Sequence, residues 1–308
     1  MRNAFINTLE KEVEKNKDII LLTGDLGFSV FDKFKKKYPN NFFNMGISEQ
    51  NMIGVAAGLT LTGKKVFAYS IIPFVTFKCV EQIRNDLCYP NLDVVVVGVG
   101  SGFSYGPAGF SHHSLEDVGT LKTLPNLTIL TPSDPLETKC LTQEVVNYKH
   151  PAYLRLGKNN EKVINEDSLN LKIGDINILK SGKDFALITH GNIIGEVYLS
   201  YEKLLKEGHN PSLISVPTIK PFNEKHMGKI LKDHEKIIIV EELNKIGGLG
   251  DTIYSFNKNN NNLNKFLHLA AEDTFAREIG SSDYLRCRSG LDSESLFEKI
   301  KLFLKEKC

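Results

Sequence analysis

Along this chain, short continuous apolar runs alternate with longer stretches in which apolar residues recur every three or four positions. Runs of four to eight read as buried strands, and the three-to-four spacing as amphipathic helices. Residues 3–16 carry the helical spacing and lead into DIILLTGD (18–25), an apolar run closed by Gly-Asp. An apolar helix over 48–62, the strand KKVFAYSIIPF (64–74) and the helix TFKCVEQIRNDLCY (76–89) follow. LDVVVVGVG (92–100) is a β-branched run suited to a parallel strand buried on both faces. A Gly-, Ser- and Pro-rich loop, SGFSYGPAGFSHHSLEDV (101–118), ends in a helix start at Ser114. NLTILTPS and PAYLRLG supply two more strands, with SDPLETKCLTQEVVNYK as the helix between them.

After PAYLRLG the chain turns polar and loses its period, and then the pattern restarts. FALITHG, PSLISVPT and EKIIIVEE read as strands; NIIGEVYLSYEKLLKEG, NEKHMGKILKDH and GGLGDTIYSF read as helices. Strand and helix alternating in this way predict an α/β protein of two doubly wound domains. The first, residues 1–165, is built on a mainly parallel sheet; residues 166–182 are a linker; residues 183–308 form a smaller C-terminal α/β domain. NKNNNNLNK (257–265) is a low-complexity surface loop, and no repeat of 20–50 residues is visible.

Composition narrows the class. A length of 308 residues accommodates two domains at roughly 100–200 residues each. With 41% hydrophobic and 24% charged residues and a formal charge of +1, nothing points to nucleic acid or an anionic membrane surface. No apolar run approaches the roughly 18 residues of a membrane span, and the amphipathic N-terminus is unlike a signal peptide. The five cysteines, at 79, 88, 140, 287 and 308, are scattered and lack metal-ligand spacing, which fits reduced thiols in a cytoplasm.

Candidate chemistry collects where strands end, the place where open α/β sheets bind ligands. Asp25 and Leu26 follow the first strand, in GDLG, which is neither a Walker A sequence nor a GxGxxG fingerprint. Glu49 opens the apolar helix of FFNMGISEQNMIGVAAGL, with Ser48 at its N-cap position. An acid there complements the helix dipole by up to about 1 kcal/mol, or is held in a dry pocket for a ligand. The aromatics Phe74 and Phe77 follow the second strand, and His112 and His113 sit in the long loop. Neighbouring histidines point different ways, which argues against a shared metal and leaves one of them structural. Arg155 and Lys158, at a strand end, are either solvated charge or an anion-binding pair. No metal-binding residues are identified.

Together, GDLGFS, FFNMGISEQNMIGVAAGL, VEQIRNDLCYPNLDVVVVG, GPAGFSHHSLEDVGTLKTLPNLTILTPSD, PAYLRLGK and EELNKIGGLGD give a chain that resembles the C-terminal half of a transketolase. The resemblance spans the pyrimidine-binding domain and the transketolase C-terminal domain. It implies the cofactor thiamine diphosphate with Mg. The glutamate matching Glu49 hydrogen-bonds N1′ of the aminopyrimidine; a carboxyl in a low-dielectric pocket can share a proton with that nitrogen and so activate the cofactor. By the same resemblance Phe74 stacks on the aminopyrimidine, with Phe77 as a second candidate, and Leu26 beside Asp25 props the bent cofactor. His112 meets the substrate's oxygens at the carbonyl end and hydrogen-bonds or moves a proton there. Lys158 stands where the family has an arginine for the substrate phosphate, a point charge in place of a bidentate fork.

The family's GDG…N motif for diphosphate and magnesium is absent from these 308 residues. The resemblance therefore implies a partner subunit, an N-terminal transketolase half, joined in an α2β2 heterotetramer with the site between subunits. The activity implied is transfer of a two-carbon ketol unit between sugars or sugar phosphates in carbohydrate metabolism. A deoxyxylulose-phosphate-synthase-like or two-oxo-acid decarboxylating subunit is the nearest rival, and a non-catalytic stabilising subunit is the rival of another class. Two departures bear on the donor: Ala108 replaces the family's Asp four residues before the histidine, and Gly100 lies where a phosphate-contacting histidine is expected. A site built to hydrogen-bond a sugar hydroxyl discriminates strongly, so loss of that Asp implies a different donor or an acid supplied elsewhere.

Overall fold

The computed structural model describes residues 1–27, 29–158 and 161–305; Phe28 of GDLGFS, Asn159 and Asn160 of the polar tract, and Cys308 lie outside them. Its strands are β1 (Ile19–Thr23), β2 (Phe42–Asn44), β3 (Lys65–Ile71), β4 (Val95–Val99), β5 (Thr128–Leu130) and β6 (Ala152–Leu156), followed by β7 (Asn177–Lys180), β8 (Ala186–Thr189), β9 (Ser212–Ser215), β10 (Thr218–Lys220), β11 (Lys236–Asn244) and β12 (Lys265–Ala271). They form a seven-stranded sheet, β10-β5-β6-β4-β3-β1-β2, and a five-stranded sheet, β12-β11-β8-β9-β7. All pairings are parallel except β10 with β5 and β7 with β9. The α/β architecture expected from the alternating pattern is thus observed.

The apolar runs become strands because both sheet faces are covered. Every residue of β1 and β4 is buried. On one face the helices Arg2–Lys15 and Pro135–Asn147 close a core containing Phe5, Leu9, Leu141 and Val145. On the other the helix Glu49–Leu61 packs Met52, Ile53 and Ala56 against Leu22 and Val66. Each large apolar side chain so buried contributes about 1.5–3 kcal/mol. Asp134 caps the helix Pro135–Asn147 by accepting from the N–H groups of Leu136 and Glu137 at 2.9 Å each.

Sheet order reverses at two places. In the first sheet the chain runs from β1 outward to β2, then crosses to β3 on the other side of β1. In the second it runs from β8 to β9, then crosses to β11 on the other side of β8. Each reversal opens a crevice at the strands' C-terminal ends. The sheets share a core: Ile20, Leu22 and Val96 of the first belong to one apolar cluster with Ile188, Ile237 and Ile239 of the second.

Several details depart from the sequence reading. β2 and β10 are three residues each, too short to show a period. The tract read as a linker contains β7, an edge strand whose residues alternate between half-buried and exposed. β12 and the helices Ser282–Ser289 and Ser293–Lys305 add elements beyond those read from the pattern. Residues 76–89 are helical but irregular: a 3-10 turn Phe77–Cys79, an α turn Val80–Gln82 and a π turn Ile83–Cys88. Ser114 does not start a helix; it pairs with Gly102 in an isolated antiparallel bridge, and the helix runs Asp117–Lys122. The helix Glu49–Leu61 is buried on one face alone although its apolar run continues around it, with Gly54, Gly58 and Leu61 exposed. Among the described residues no helix is long and apolar enough to cross a membrane.

Candidate active site

The first sheet's reversal lies between β1 and β3, and the candidate residues converge on it. Gly24, Asp25 and Leu26 leave β1; Glu49 starts the helix that follows β2; Phe74 and Lys78 follow β3. His112 and Tyr105 lie in the loop after β4, and Lys158 follows β6. Strands spaced about 4.8 Å apart thus deliver one side chain after another along a single edge.

Glu49 is 1% exposed. Its carboxylate accepts from Ser70 Oγ at 3.2 Å and from Lys78 Nζ at 3.0 Å. Gly24 lies against both Glu49 and Ser70, where a β-carbon would come within 3.2 Å of the Glu49 Oε1 and of Ser70 Oγ. A buried carboxylate needs such partners, since an unpaired one is strongly destabilising. Ser48 holds the N-cap position without capping: its hydroxyl donates backward to the Met45 carbonyl at 2.7 Å. Near the carboxylate, burial, reinforced by Glu49, pushes the Cys79 thiol up to about 12. That keeps the sulfur protonated and unreactive.

A row of contacts continues from this carboxylate. Lys78 Nζ lies 5.6 Å from the centre of the Phe74 ring, which makes a T-shaped contact with His112 at 5.1 Å between centroids. His112 lies 6.1 Å from Tyr105, and Lys158 Nζ sits 4.7 Å over the Tyr105 ring. Glu49, Lys78, Phe74, His112, Tyr105 and Lys158 therefore form one continuous line. Gly100 belongs to it indirectly: at φ +97° it lies beneath Tyr105, where a β-carbon would overlap the ring. The family's histidine at this place is thus incompatible with Tyr105 as it packs here.

The two histidines divide as different roles require. His113 is buried, donates from Nε2 to the Gly106 carbonyl at 3.3 Å and packs edge-on against Phe103. Burial holds its imidazole below the usual range, so it is neutral at pH 7. His112 is half-buried, with Nδ1 3.0 Å from Ser111 Oγ. Asp25, at φ +52°, is held by Asn44, which accepts from its N–H at 3.0 Å and donates to its carboxylate at 2.9 Å. Leu26 is half-buried, its carbonyl accepting from Thr23 Oγ1 at 3.1 Å.

Two residues lie apart from this line. Phe77 is 39% exposed and, with Pro73, Phe110 and Phe275, lines a neighbouring apolar cavity of about 370 Å³. Arg155 forms no anion-binding pair with Lys158. It is buried, with Nε 2.9 Å from Asp117 and a second nitrogen 2.7 Å from the Ser114 carbonyl. The sequence does not single out Lys78, Ser70 or Tyr105. Their closeness to a strand end is the available signal, but which of them turn inward depends on the irregular 76–89 helix and on Gly100. Among the described residues, no group of three His, Cys, Asp or Glu side chains is arranged to hold a metal.

Residues 1–162 match the family described as transketolase, pyrimidine binding domain, and residues 174–295 match transketolase, C-terminal domain. A Methanocaldococcus jannaschii protein described as a transketolase C-terminal section is 35% identical over 303 residues, covering 97% of this chain and 95% of its own. One of the subunits of the apulose-4-phosphate transketolase of Phocaeicola vulgatus is 31% identical over 307 residues, covering 99% and 97%. Among solved structures, a split gene transketolase described as an inactive beta4 tetramer superimposes with a TM-score of 0.89 at 27% identity, covering 97% of this chain and 96% of that one.

Proposed function

Because the chain belongs to the transketolase family, we propose that it is the pyrimidine-binding subunit of a split, thiamine-diphosphate-dependent transketolase. Its reaction is transfer of a two-carbon ketol unit between sugar substrates. The observation that carries this reading is the unbroken row from the buried Glu49 carboxylate through Phe74 and His112 to Lys158. A pyrimidine half-site needs a dry acceptor and an aromatic wall, and the row begins with both.

The residues present fit the cofactor's aminopyrimidine. Glu49 offers a buried oxygen whose cationic partner, Lys78, is 49% exposed and so free to be exchanged for a protonated ring nitrogen. Half-buried Phe74 supplies a ring face. When bound, thiamine diphosphate supplies the carbon nucleophile and electron sink for breaking and making the carbon–carbon bond. Glu49 holds a proton at N1′, and Leu26 with Asp25 limits how the cofactor lies. His112, beside Phe74, hydrogen-bonds or moves a proton at the substrate's carbonyl oxygen. Lys158, held over Tyr105, offers charge to a substrate phosphate.

Magnesium and the diphosphate are assigned to a partner, an N-terminal transketolase half with GDG…N, in an α2β2 assembly. The exposed face of the helix Glu49–Leu61 supports such an assembly. Residues 1–165 are read as the pyrimidine-binding domain and 183–308 as the C-terminal domain, joined through 166–182. The name of the Phocaeicola vulgatus relative, with its apulose 4-phosphate, supports screening sugar phosphates first. Ala108, exposed in the 3-10 turn Gly106–Ala108, supports a donor unlike that of Asp-bearing transketolases.

The test is coexpression with the N-terminal half and an assay of two-carbon transfer from ketose phosphates to aldehydes. Glu49→Ala should abolish transfer while the pair still assembles, and retained transfer would make this a stabilising subunit. Carbon dioxide release from a two-oxo acid would favour the decarboxylating alternative. Full turnover by this chain alone would overturn the split arrangement.

A further inference from the structure

The second domain contributes no member of the contact row, yet it holds the loop that carries His112. Both stems of that loop are buried in the second domain's core. Phe103 and Leu115, 1% and 5% exposed, belong to the same apolar cluster as Leu187, Val240 and Leu285. At its base the loop is closed by the bridge of Gly102 with Ser114, N–H to carbonyl in both directions at 3.2 and 3.1 Å.

The end of β11 lies along this closure. Asn244 N–H donates to the Leu115 carbonyl at 2.7 Å. Glu242, 2% exposed, rests its carboxylate directly on Gly102, whose φ is +60° and where a β-carbon would overlap the carboxylate. Arg286, on the helix Ser282–Ser289, grips Glu242 with two nitrogens, at 2.6 and 3.1 Å. From the other domain Arg155 donates to the Ser114 carbonyl at 2.7 Å. The bridge is therefore held between a cation of the first domain and an anion of the second. Asn192, after β8, adds a further hold, accepting from Ser101 Oγ at 2.6 Å and donating to Ser104 Oγ at 3.1 Å.

We infer that the second domain serves as the platform for the His112 loop, and that Glu242, fixed by Arg286, is a positioning residue acting through Gly102. This rests on the transketolase reading for the role of His112, but not for the mechanical statement. A bidentate guanidinium–carboxylate pair at a buried site fixes direction as well as distance. Its product here is a rigid base for a 3-10 turn, Phe110–His112, that reaches back to Phe74.

Two measurements decide it. In the chain itself, Glu242→Gln should raise amide hydrogen exchange across residues 103–113 by about tenfold or more, with β8 and the Ile237–Val240 stretch of β11 paired to it unchanged. In the assembled pair the same variant should lower kcat about tenfold and leave the affinity for thiamine diphosphate unaltered. Arg286→Lys, which keeps the charge but not the fork, should fall between wild type and Glu242→Gln in both. If Glu242→Gln unfolds the domain, Asn192→Ala, at a half-buried position, carries the same two expectations at smaller size. Unchanged loop exchange, or a loosened loop with unchanged kcat, would overturn the inference. Failure of the wild-type pair to transfer ketol units would defeat the transketolase reading instead, leaving the exchange result to stand by itself.

Discussion

Glu49 has two partners of unlike permanence. Ser70 belongs to β3 and stays; Lys78 reaches in from a half-exposed position on an irregular helix. The ammonium meets both groups assigned to the aminopyrimidine, at 3.0 Å from the Glu49 carboxylate and 5.6 Å from the centre of the Phe74 ring. On the proposed role of Glu49, cofactor binding would exchange one cationic partner for another, with Lys78 as the competitor. Lys78→Met should tighten thiamine diphosphate binding to the assembled pair by up to about tenfold, measured calorimetrically, because a charge-assisted hydrogen bond no longer has to be broken. Weaker binding in that variant would mean that Lys78 assists the cofactor. Glu49, Phe74 and His112 are legible in the sequence because each follows a strand end in a recognisable string. Lys78 is not, since spacing along 76–89 does not reveal the passage from 3-10 to α to π turn that aims it inward. For Arg155 the sequence leaves solvated charge and an anion-binding pair open, and only its burial beside Asp117 shows that it is neither.

At the scale of elements, β11 and the helix Leu249–Asn259 meet through one buried carboxylate. Glu241 accepts from His190 at 3.1 Å, from His268 at 2.7 Å, and from the N–H groups of Leu249 and Gly250 at 2.8 and 3.0 Å. The second sheet's crevice, where an open α/β domain would take an anion at a helix N-terminus, is thus filled from within. Gly248 and Gly250 are needed for closeness: a β-carbon at 248 would strike Glu241, and one at 250 would strike His268. Burial pushes the Glu241 carboxyl up, but the hydrogen bonds from His190 and His268 prevail and hold it well below the ordinary range. A depressed native pKa stabilises the fold above the unfolded value, near 4.5, and that contribution is lost progressively as the pH falls below it. Glu241→Gln should cost about 2–3 kcal/mol by urea unfolding at pH 7 and flatten the acid limb of the stability curve. The GGLGD string shows a helix start; that its anion is supplied by the neighbouring strand is a fact of register, which no local pattern encodes.

The whole molecule is tied together more tightly than its two restarting patterns suggest. β10 comes from the far side of the polar tract, yet it pairs antiparallel with β5 of the first sheet. The chain order of elements discloses two α/β units, because each buries its own runs. It cannot disclose β10, three residues long, or the apolar cluster common to both sheets. Heat or denaturant should therefore unfold the chain in one transition, seen alike by far-ultraviolet circular dichroism and by exchange of core amides in either sheet. Two separated transitions would show that the shared core is weaker than its burial implies. The crossed strand has a further consequence for covalent continuity. Glu166–Ser168 are exposed and lie between the two sheets in sequence. A protease that cuts there severs the backbone without releasing either fragment, since one fragment lends the other a strand. The nicked protein should elute as a single particle at its original size and come apart only in denaturant.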